Sequence, residues 1–255
     1  MPWCKNIKSG TTTLLHSHVY IHLSKTDEMI HDLIDLFFPK VCAGCEKMLL
    51  DAEKVICTTC RHHLPLTNHH LIKENEAYSK FYGRLPLESA TALCHYNKKG
   101  IVQEMIHKLK YRGIEEVGDV LGNWYCNDLM KIPSMTTVDA IIPVPLHPKK
   151  LRQRGYNQVT TFAVALSQGL NVSYNDRLLR RDVYSKTQTK KNLLGRTSIG
   201  KAIFDVDFAA EDHNKHYLIV DDVITTGSTL EACGRALLKI PGATISIACM
   251  AMSHS

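Results

Sequence analysis

An α/β fold with a mainly parallel sheet, preceded by a small four-cysteine module, is what this sequence predicts. Three observations carry the prediction. From residue 87 onward, short apolar runs alternate with amphipathic helical patterns, the signature of parallel strands joined by crossover helices. One of those runs, Tyr217 to Val220, ends in two adjacent acids and a hydroxyl-rich turn that opens straight into a helix. Near the amino terminus stand two Cys-x-x-Cys pairs with eleven residues between them. A chain of 255 residues, 44% of them hydrophobic, is long enough for one sizeable core and a small accessory module.

The elements follow in order. Residues 1–27 are polar and without a sustained period, so they read as a poorly ordered extension. An amphipathic helix opens at Met29, and translation starting there is one reading of the polar stretch before it. Residues 28–66 form the cysteine module and residues 67–86 a polar linker. The main domain spans 87–255. Within it, Leu87–Tyr96 reads as a strand and Lys98–Lys110 as a helix, since Ile101, Val102, Met105, Ile106 and Leu109 share one face. A second helix covers Val117–Met130. Val138–Val144 reads as a buried strand and Gln158–Gly169 as a helix. Further strands are expected near Leu178, at Ala202–Val206, at Tyr217–Val220 and at Ala243–Ala251. No apolar run approaches the roughly 20 residues that span a membrane, and the early segment Leu14–Leu23 is broken by three histidines. The expectation is a cytoplasmic chain with no membrane insertion.

The cysteine pairs are Cys42 and Cys45, then Cys57 and Cys60. Each Cys-x-x-Cys turn aims two thiolates at one ion, and two turns complete a tetrahedral site. In a cytoplasmic chain this spacing reads as structural Zn²⁺, whereas a redox dithiol needs only one pair beside a βαβ unit. Gly44 lets the first turn tighten. Cys94, Cys126, Cys233 and Cys249 stand singly among apolar neighbours and read as small core residues.

After Val220 come Asp221 and Asp222, then Thr225, Thr226, Gly227, Ser228 and Thr229. A helix follows with Leu230, Gly234, Leu237 and Leu238 on one face, and Ser228 or Thr229 is placed to cap it. A helix N-terminus with hydroxyls and a close-approach glycine cradles phosphate. Two acids at a strand's end suit vicinal hydroxyls or a hydrated metal ion. A sugar phosphate has both features. A Walker A loop is excluded, because no Gly-Lys-Ser/Thr follows the glycine. The stretch resembles the 5-phosphoribosyl-1-pyrophosphate (PRPP) loop of type I phosphoribosyltransferases. The resemblance implies that Asp221 and Asp222 hold the ribose hydroxyls, with Mg²⁺ present, and that Thr225 to Thr229 hold the 5′-phosphate.

Two more loops extend the match. After the Val138–Val144 strand comes Pro145-Leu-His-Pro-Lys-Lys-Leu-Arg-Gln-Arg-Gly-Tyr-Asn-Gln158, whose Lys149, Lys150, Arg152 and Arg154 suit a pyrophosphate. Prolines and Gly155 mark it as a stiff turn. Pro-x-His-Pro, then basic residues, then Arg-Gly-Tyr-Asn-Gln resembles the ComF family. So does the order of parts, with Phe-Pro ahead of the first Cys-x-x-Cys. The likeness covers nearly everything from Met29 onward. It implies a zinc module joined to a phosphoribosyltransferase-like domain, and a role in moving single-stranded DNA during natural transformation. It also implies partners: PRPP, single-stranded DNA, and other competence proteins such as a DNA-translocating helicase. A third loop, with Thr187, Gln188, Thr189 and Arg196, is similar to the family's mobile hood. Downstream of it the chain departs, reading Thr197 to Phe204 without the family's usual Asn-Val.

Net charge is +6, but residues 145–201 carry twelve lysines and arginines against Asp176 and Asp182. Such a block suits a polyanion, either a pyrophosphate or a nucleic acid. No residue stands out as a general base, so none is assigned a catalytic role. Two readings remain open: a phosphoribosyl transferase that works by positioning its ligand, and a non-catalytic DNA-handling module whose PRPP site is a sensor or a vestige.

Overall fold

The computed structural model describes residues 39–181 and 203–253. The chain divides into two units, Met1–Pro39 and Lys40–Ser255, and the account that follows concerns the second. The expected extension, the Met29 helix and the hood residues Thr187, Gln188, Thr189 and Arg196 lie outside the described residues.

In chain order the strands are β1 (Ser89–Tyr96), β2 (Ala140–Pro143), β3 (Ser173–Tyr174), β4 (Leu179–Arg181), β5 (Phe204–Val206), β6 (His216–Ile224) and β7 (Thr244–Ser253). The helices are α1 (Thr58–His62), α2 (Glu76–Ser79), α3 (Ile101–Tyr111), α4 (Glu116–Leu129), α5 (Pro148–Arg154), α6 (Thr160–Leu170) and α7 (Ser228–Leu237). Five strands form one parallel sheet in the order β1-β7-β6-β2-β3. The expected strands near Leu178 and at 202–206 do not join it. As β4 and β5 they pair antiparallel with each other, Leu179 opposite Val206.

Both faces of the sheet are covered, which is why β7 is buried without alternation from Ile245 to Met252 and apolar there except at Ser246. Side chains of β6 divide by parity. Leu218 and Val220 join a core with α3, α4 and α6. Tyr217 and Ile219 join a second core with α7, β4 and β5. The cysteine module belongs to the first of these. Cys42, Ala43, Ile56, Cys60 and Leu64 are buried in the same cluster as Val102, Met105, Ile106 and Leu109 of α3.

The polar segment 67–86, expected as a linker, is fixed along its length. Leu66 bridges Cys94 antiparallel, Thr67 N donates to Leu93 O at 3.0 Å, and His95 N donates to Pro65 O at 2.7 Å, so the chain runs beside β1. A 3₁₀ turn follows at His69–Leu71. Asn75 then caps α2, its Oδ1 accepting from Tyr78 N at 3.0 Å. Ala77, Phe81 and Leu85 are buried in the second core. Hydrophobic residues spaced four apart do this work in a segment whose composition is otherwise polar. No helix among the described residues is long and apolar enough to cross a membrane.

Candidate functional site

The sheet order creates a crevice. From β2 the chain moves outward to β3, while from β6 it moves the other way to β7. Neighbouring strands whose crossovers diverge open a binding crevice beyond their carboxyl ends. Pairing between β2 and β6 stops at Pro143 and Val220, but β6 continues along β7 to Ile224. Asp221 and Asp222 are the first residues of β6 past that point.

Successive side chains on a strand point to opposite faces, so the two acids have different surroundings. Asp222 is buried, and two donors converge on its Oδ2: Lys110 Nζ from the end of α3 at 2.9 Å, and Gln158 Nε2 at 2.6 Å. Asp221 Oδ1 accepts from the Asp222 backbone N at 2.8 Å. Burial, and then the Asp222 carboxylate beside it, push Asp221 well above the usual carboxylate range, against smaller lowering by that backbone bond, Lys110 and Arg181.

The hydroxyl turn follows. Gly227, at φ +77°, is the N-cap of α7, with no side-chain cap. The expected caps fail because Ser228 is already the first helical residue. Thr225, Thr226, Ser228 and Thr229 are exposed and Gly227 is buried. Thr226 Oγ1 and Ser228 Oγ are 3.0 Å apart. Ser228 N donates to Thr226 Oγ1 at 3.4 Å, and no N-cap side chain takes the other first-turn N–H groups, an arrangement that attracts anions. Two residues from the 67–86 segment hold the turn from below. A Cβ at position 227 would come within 2.8 Å of Phe81 Cε1, so glycine is required there. Arg84 Nη1 donates to Thr226 O at 3.0 Å, while its Nε donates to Glu231 Oε2 at 2.9 Å.

The basic loop is a helix, not a turn. Pro148 begins α5, His147 Nδ1 accepts from Lys149 N at 3.1 Å, and Gly155 at φ +81° ends it. Lys149, Lys150 and Arg152 are exposed on it, and Arg154 is half-buried. The motif Arg154 to Gln158 then ties the helix down residue by residue. Arg154 stacks over the Tyr111 ring at 5.0 Å and donates to Gln158 Oε1 at 2.6 Å. Tyr156 Oη donates to Leu109 O of α3. Asn157 Nδ2 donates to Val144 O at 3.0 Å. Gln158 reaches Asp222. The structure thus links Arg154 to the acid pair and leaves Lys149, Lys150 and Arg152 on the open face of α5.

The second candidate site is the cysteine cluster. The Sγ atoms of Cys42, Cys45, Cys57 and Cys60 all lie within 4.8 Å of one another. Cys45 and Cys57 sulfurs are 3.7 Å apart; a tetrahedral ion with Zn–S bonds of about 2.3 Å sets its sulfurs about 3.8 Å apart. Backbone amides support the sulfurs: Gly44 N and Cys57 N donate to Cys42 Sγ, each at 3.3 Å, and Cys60 N donates to Cys57 Sγ at 3.4 Å. Burial acts to raise the Cys42 thiol, but the N–H groups of Cys57, Cys45 and Gly44 outweigh it and bring it down to about 7. Burial, and then the sister thiols, push Cys60 well up. Four thiolates crowded this closely need a cation, and this donor set fits a tetrahedral metal ion. A Cβ on Gly44 would sit 2.7 Å from Ile101 Cγ2, so glycine here allows the module to close on α3. Lys108 on the same helix donates to Cys42 O at 3.3 Å and pairs with Glu46 at 3.1 Å.

The phosphoribosyl transferase domain family matches residues 160–255, which carry both acids and the hydroxyl turn. Similarity to individual proteins extends over more of the chain. The chain is 26% identical over 218 residues to the DNA utilization protein YhgH of Shigella flexneri, covering 82% of this chain and 89% of that one. It is 27% identical over 203 residues to Competence protein ComFC of Bacillus subtilis, covering 78% of each. With Competence protein F of Haemophilus influenzae it shares 24% over 215 residues, covering 80% and 93%. These relatives, with the domain match, support the resemblance to the ComF family. The architecture is a phosphoribosyltransferase-like parallel sheet with a four-cysteine cluster near the N-terminus that could hold zinc. Sequence reasoning missed Lys110, Gln158, Phe81 and Arg84 as parts of the site. Lys110 stood in view as the end of the predicted α3 helix and Gln158 as the last residue of the ComF-like motif, but neither carries a signal that says which acid it meets.

Proposed function

We propose that this ComF-like protein binds PRPP with Mg²⁺ in the β2–β6 crevice and serves in handling single-stranded DNA in the cytoplasm. The observation that carries the ligand reading is the acid pair where β6 outruns β2, followed at once by a hydroxyl-rich helix N-terminus with glycine at the N-cap. Asp222 holds Lys110 and Gln158 on one oxygen, which leaves the other to accept a ribose hydroxyl. Asp221 supplies the neighbouring acceptor. The turn Thr225–Thr229 offers hydroxyls and the N–H groups of α7 to the 5′-phosphate, steadied by Arg84. Lys149, Lys150, Arg152 and Arg154 supply the positive charge a pyrophosphate needs. Mg²⁺, when bound, would neutralise the diphosphate.

If transfer occurs, the bond from the ribose C1 to the pyrophosphate oxygen breaks, an acceptor atom bonds to C1, and the acceptor gives up its proton. The chain's part would be to hold the ends of the ligand while charge develops at C1. The four-cysteine cluster suits Zn²⁺, held by Cys42, Cys45, Cys57 and Cys60 as a structural ion.

The DNA reading draws on relatives named for DNA utilization and competence, and on one surface observation. Tyr111 is 59% exposed, beside His107 at 5.0 Å and Arg154, in a neighbourhood that includes Lys110, Arg112 and the cations of α5. An exposed ring among cations suits unpaired bases and their phosphates. The test is calorimetric titration of PRPP with Mg²⁺ into wild type and into Asp221→Asn/Asp222→Asn. Binding in wild type and loss of most of it in the double variant is expected. Equal affinity in the two would remove PRPP from this crevice.

A further inference from the structure

Gln158 is 5% exposed, and both ends of its amide are engaged by charged groups. Its Oε1 accepts from Arg154 Nη1 at 2.6 Å and its Nε2 donates to Asp222 Oδ2 at 2.6 Å. Arginine only donates and an ionised carboxylate only accepts. The amide therefore has one possible orientation, and each partner enforces it for the other. Turning it over would set N–H against N–H on one side and oxygen against oxygen on the other. In a buried place such an amide has no water to fall back on.

We propose that Gln158 is a positioning residue that passes the state of Arg154 to Asp222, so that the cationic end and the diol end of the crevice respond as one. The proposal rests on reading the crevice as a sugar-diphosphate site and adds how its two halves communicate. With Arg154 in place, the Gln158 carbonyl is anchored and its NH₂ group stays on Asp222 Oδ2. When Arg154 is drawn away or removed, the carbonyl loses its donor and the amide is free to rotate. Asp222 then loses the fixed partner that keeps Oδ2 occupied. A ligand that bears no pyrophosphate should therefore still feel Arg154.

The route is specific. Arg154 has a second partner, Tyr111, but that contact leads outward to the surface of α3. Among the described contacts of Asp222, Lys110 comes from α3 independently of Arg154. Among the described hydrogen bonds and ion pairs, Gln158 is the one residue that meets both Arg154 and Asp222.

The experiment uses two fragments on the full chain in one magnesium-containing buffer: ribose 5-phosphate and inorganic pyrophosphate, each titrated by calorimetry. Wild type is expected to bind both; failure to bind either would dispose of the sugar-diphosphate reading itself. Arg154→Met is the deciding variant, because its side chain is half-buried on a surface helix and its loss leaves the core intact. It should weaken ribose 5-phosphate about three- to tenfold, the worth of one hydrogen bond, although the one phosphate of that ligand is assigned to the Thr225–Thr229 turn and not to Arg154. Unchanged ribose 5-phosphate affinity, with pyrophosphate weakened, would overturn the relay and leave the site reading standing. In a Gln158→Met background, Arg154→Met should have no further effect on ribose 5-phosphate. A persisting effect would mean that general loosening of α5 carries it, and would also overturn the relay. Should Gln158→Met not fold, Gln158→Leu replaces it, removing both the acceptor for Arg154 and the donor to Asp222; the same null effect is required there.

Discussion

Lys110 Nζ stands 2.9 Å from Asp222 Oδ2, so the last turn of α3 places a cation directly on the acid pair at the end of β6. Their side chains are 22% and 10% exposed, which makes this a largely desolvated pair rather than a surface contact. The same helix, two residues earlier, sends Lys108 to the carbonyl of Cys42. One helix thus touches both the cysteine cluster and the crevice.

Removing Lys110 should leave a buried carboxylate with Gln158 as its main donor. Lys110→Met is expected to lower stability by about 1–3 kcal/mol, read as a shift in denaturant midpoint with unchanged slope. Asp222→Asn added to it should recover part of the loss, since the unpaired charge is then gone. Strict additivity of the two changes would show that the pair is not coupled.

Zinc at one equivalent per chain is expected by elemental analysis of protein purified without chelator. Because Cys42 and Cys60 share a core with α3, Cys42→Ser or chelation should lower the unfolding temperature of the main domain too. An unchanged main-domain transition, with only the cysteine module loosened, would contradict that shared core.

Acid should destabilise the protein through His69. This ring is 5% exposed, and its Nδ1 accepts from Ala92 N at 3.2 Å, a bond that protonation of that nitrogen destroys. Burial, and then the nearby His95, bring it down from 6.5 to about 4, against a smaller lift from Glu76. The unfolded chain takes up the proton first, so stability from this group is complete above pH 6.5 and drains as pH falls toward 4, by at most about 1.4 kcal/mol per pH unit. His69→Gln should flatten the slope in that window relative to wild type. Parallel pH profiles for the two proteins would rule the histidine out.

Single-stranded oligonucleotide should bind at low salt, followed by fluorescence anisotropy, with a log–log salt slope of about −0.7 per phosphate neutralised. Tyr111→Ala is expected to weaken it by about 1–3 kcal/mol, the worth of one stacked base. Lys149→Ala/Lys150→Ala/Arg152→Ala should reduce the slope as well as the affinity. A slope identical to wild type would move the phosphate track off α5.

Much of this was legible in the chain beforehand. Buried strands such as Tyr217–Val220 and amphipathic α3 announce themselves by period, and the doubled Cys-x-x-Cys needs no fold to be read. The basic segment was harder. Pro148 and Gly155 look like turn residues, but a proline at the first helical position and a left-handed glycine just past the last are also how a short helix is bounded. The contacts of the site were harder still. Lys110, Gln158 and Asp222 meet only because three separate elements converge, and a pairing across that much chain leaves no periodic trace. Phe81 and Arg84 lie in a stretch whose polar composition hides the few residues that pack.

The main sheet has two borders among the described residues, and neither invites another strand. On one side the Pro65–Thr67 stretch lies against β1, where Leu93 O accepts from Thr67 N and His95 N donates to Pro65 O. On the other, β3 is two residues long. At these two borders a partner strand would find little open ladder to extend. The same closure protects the fold from its own copies: with no long open border on offer, crowding at high concentration has no template from which a cross-chain sheet could grow.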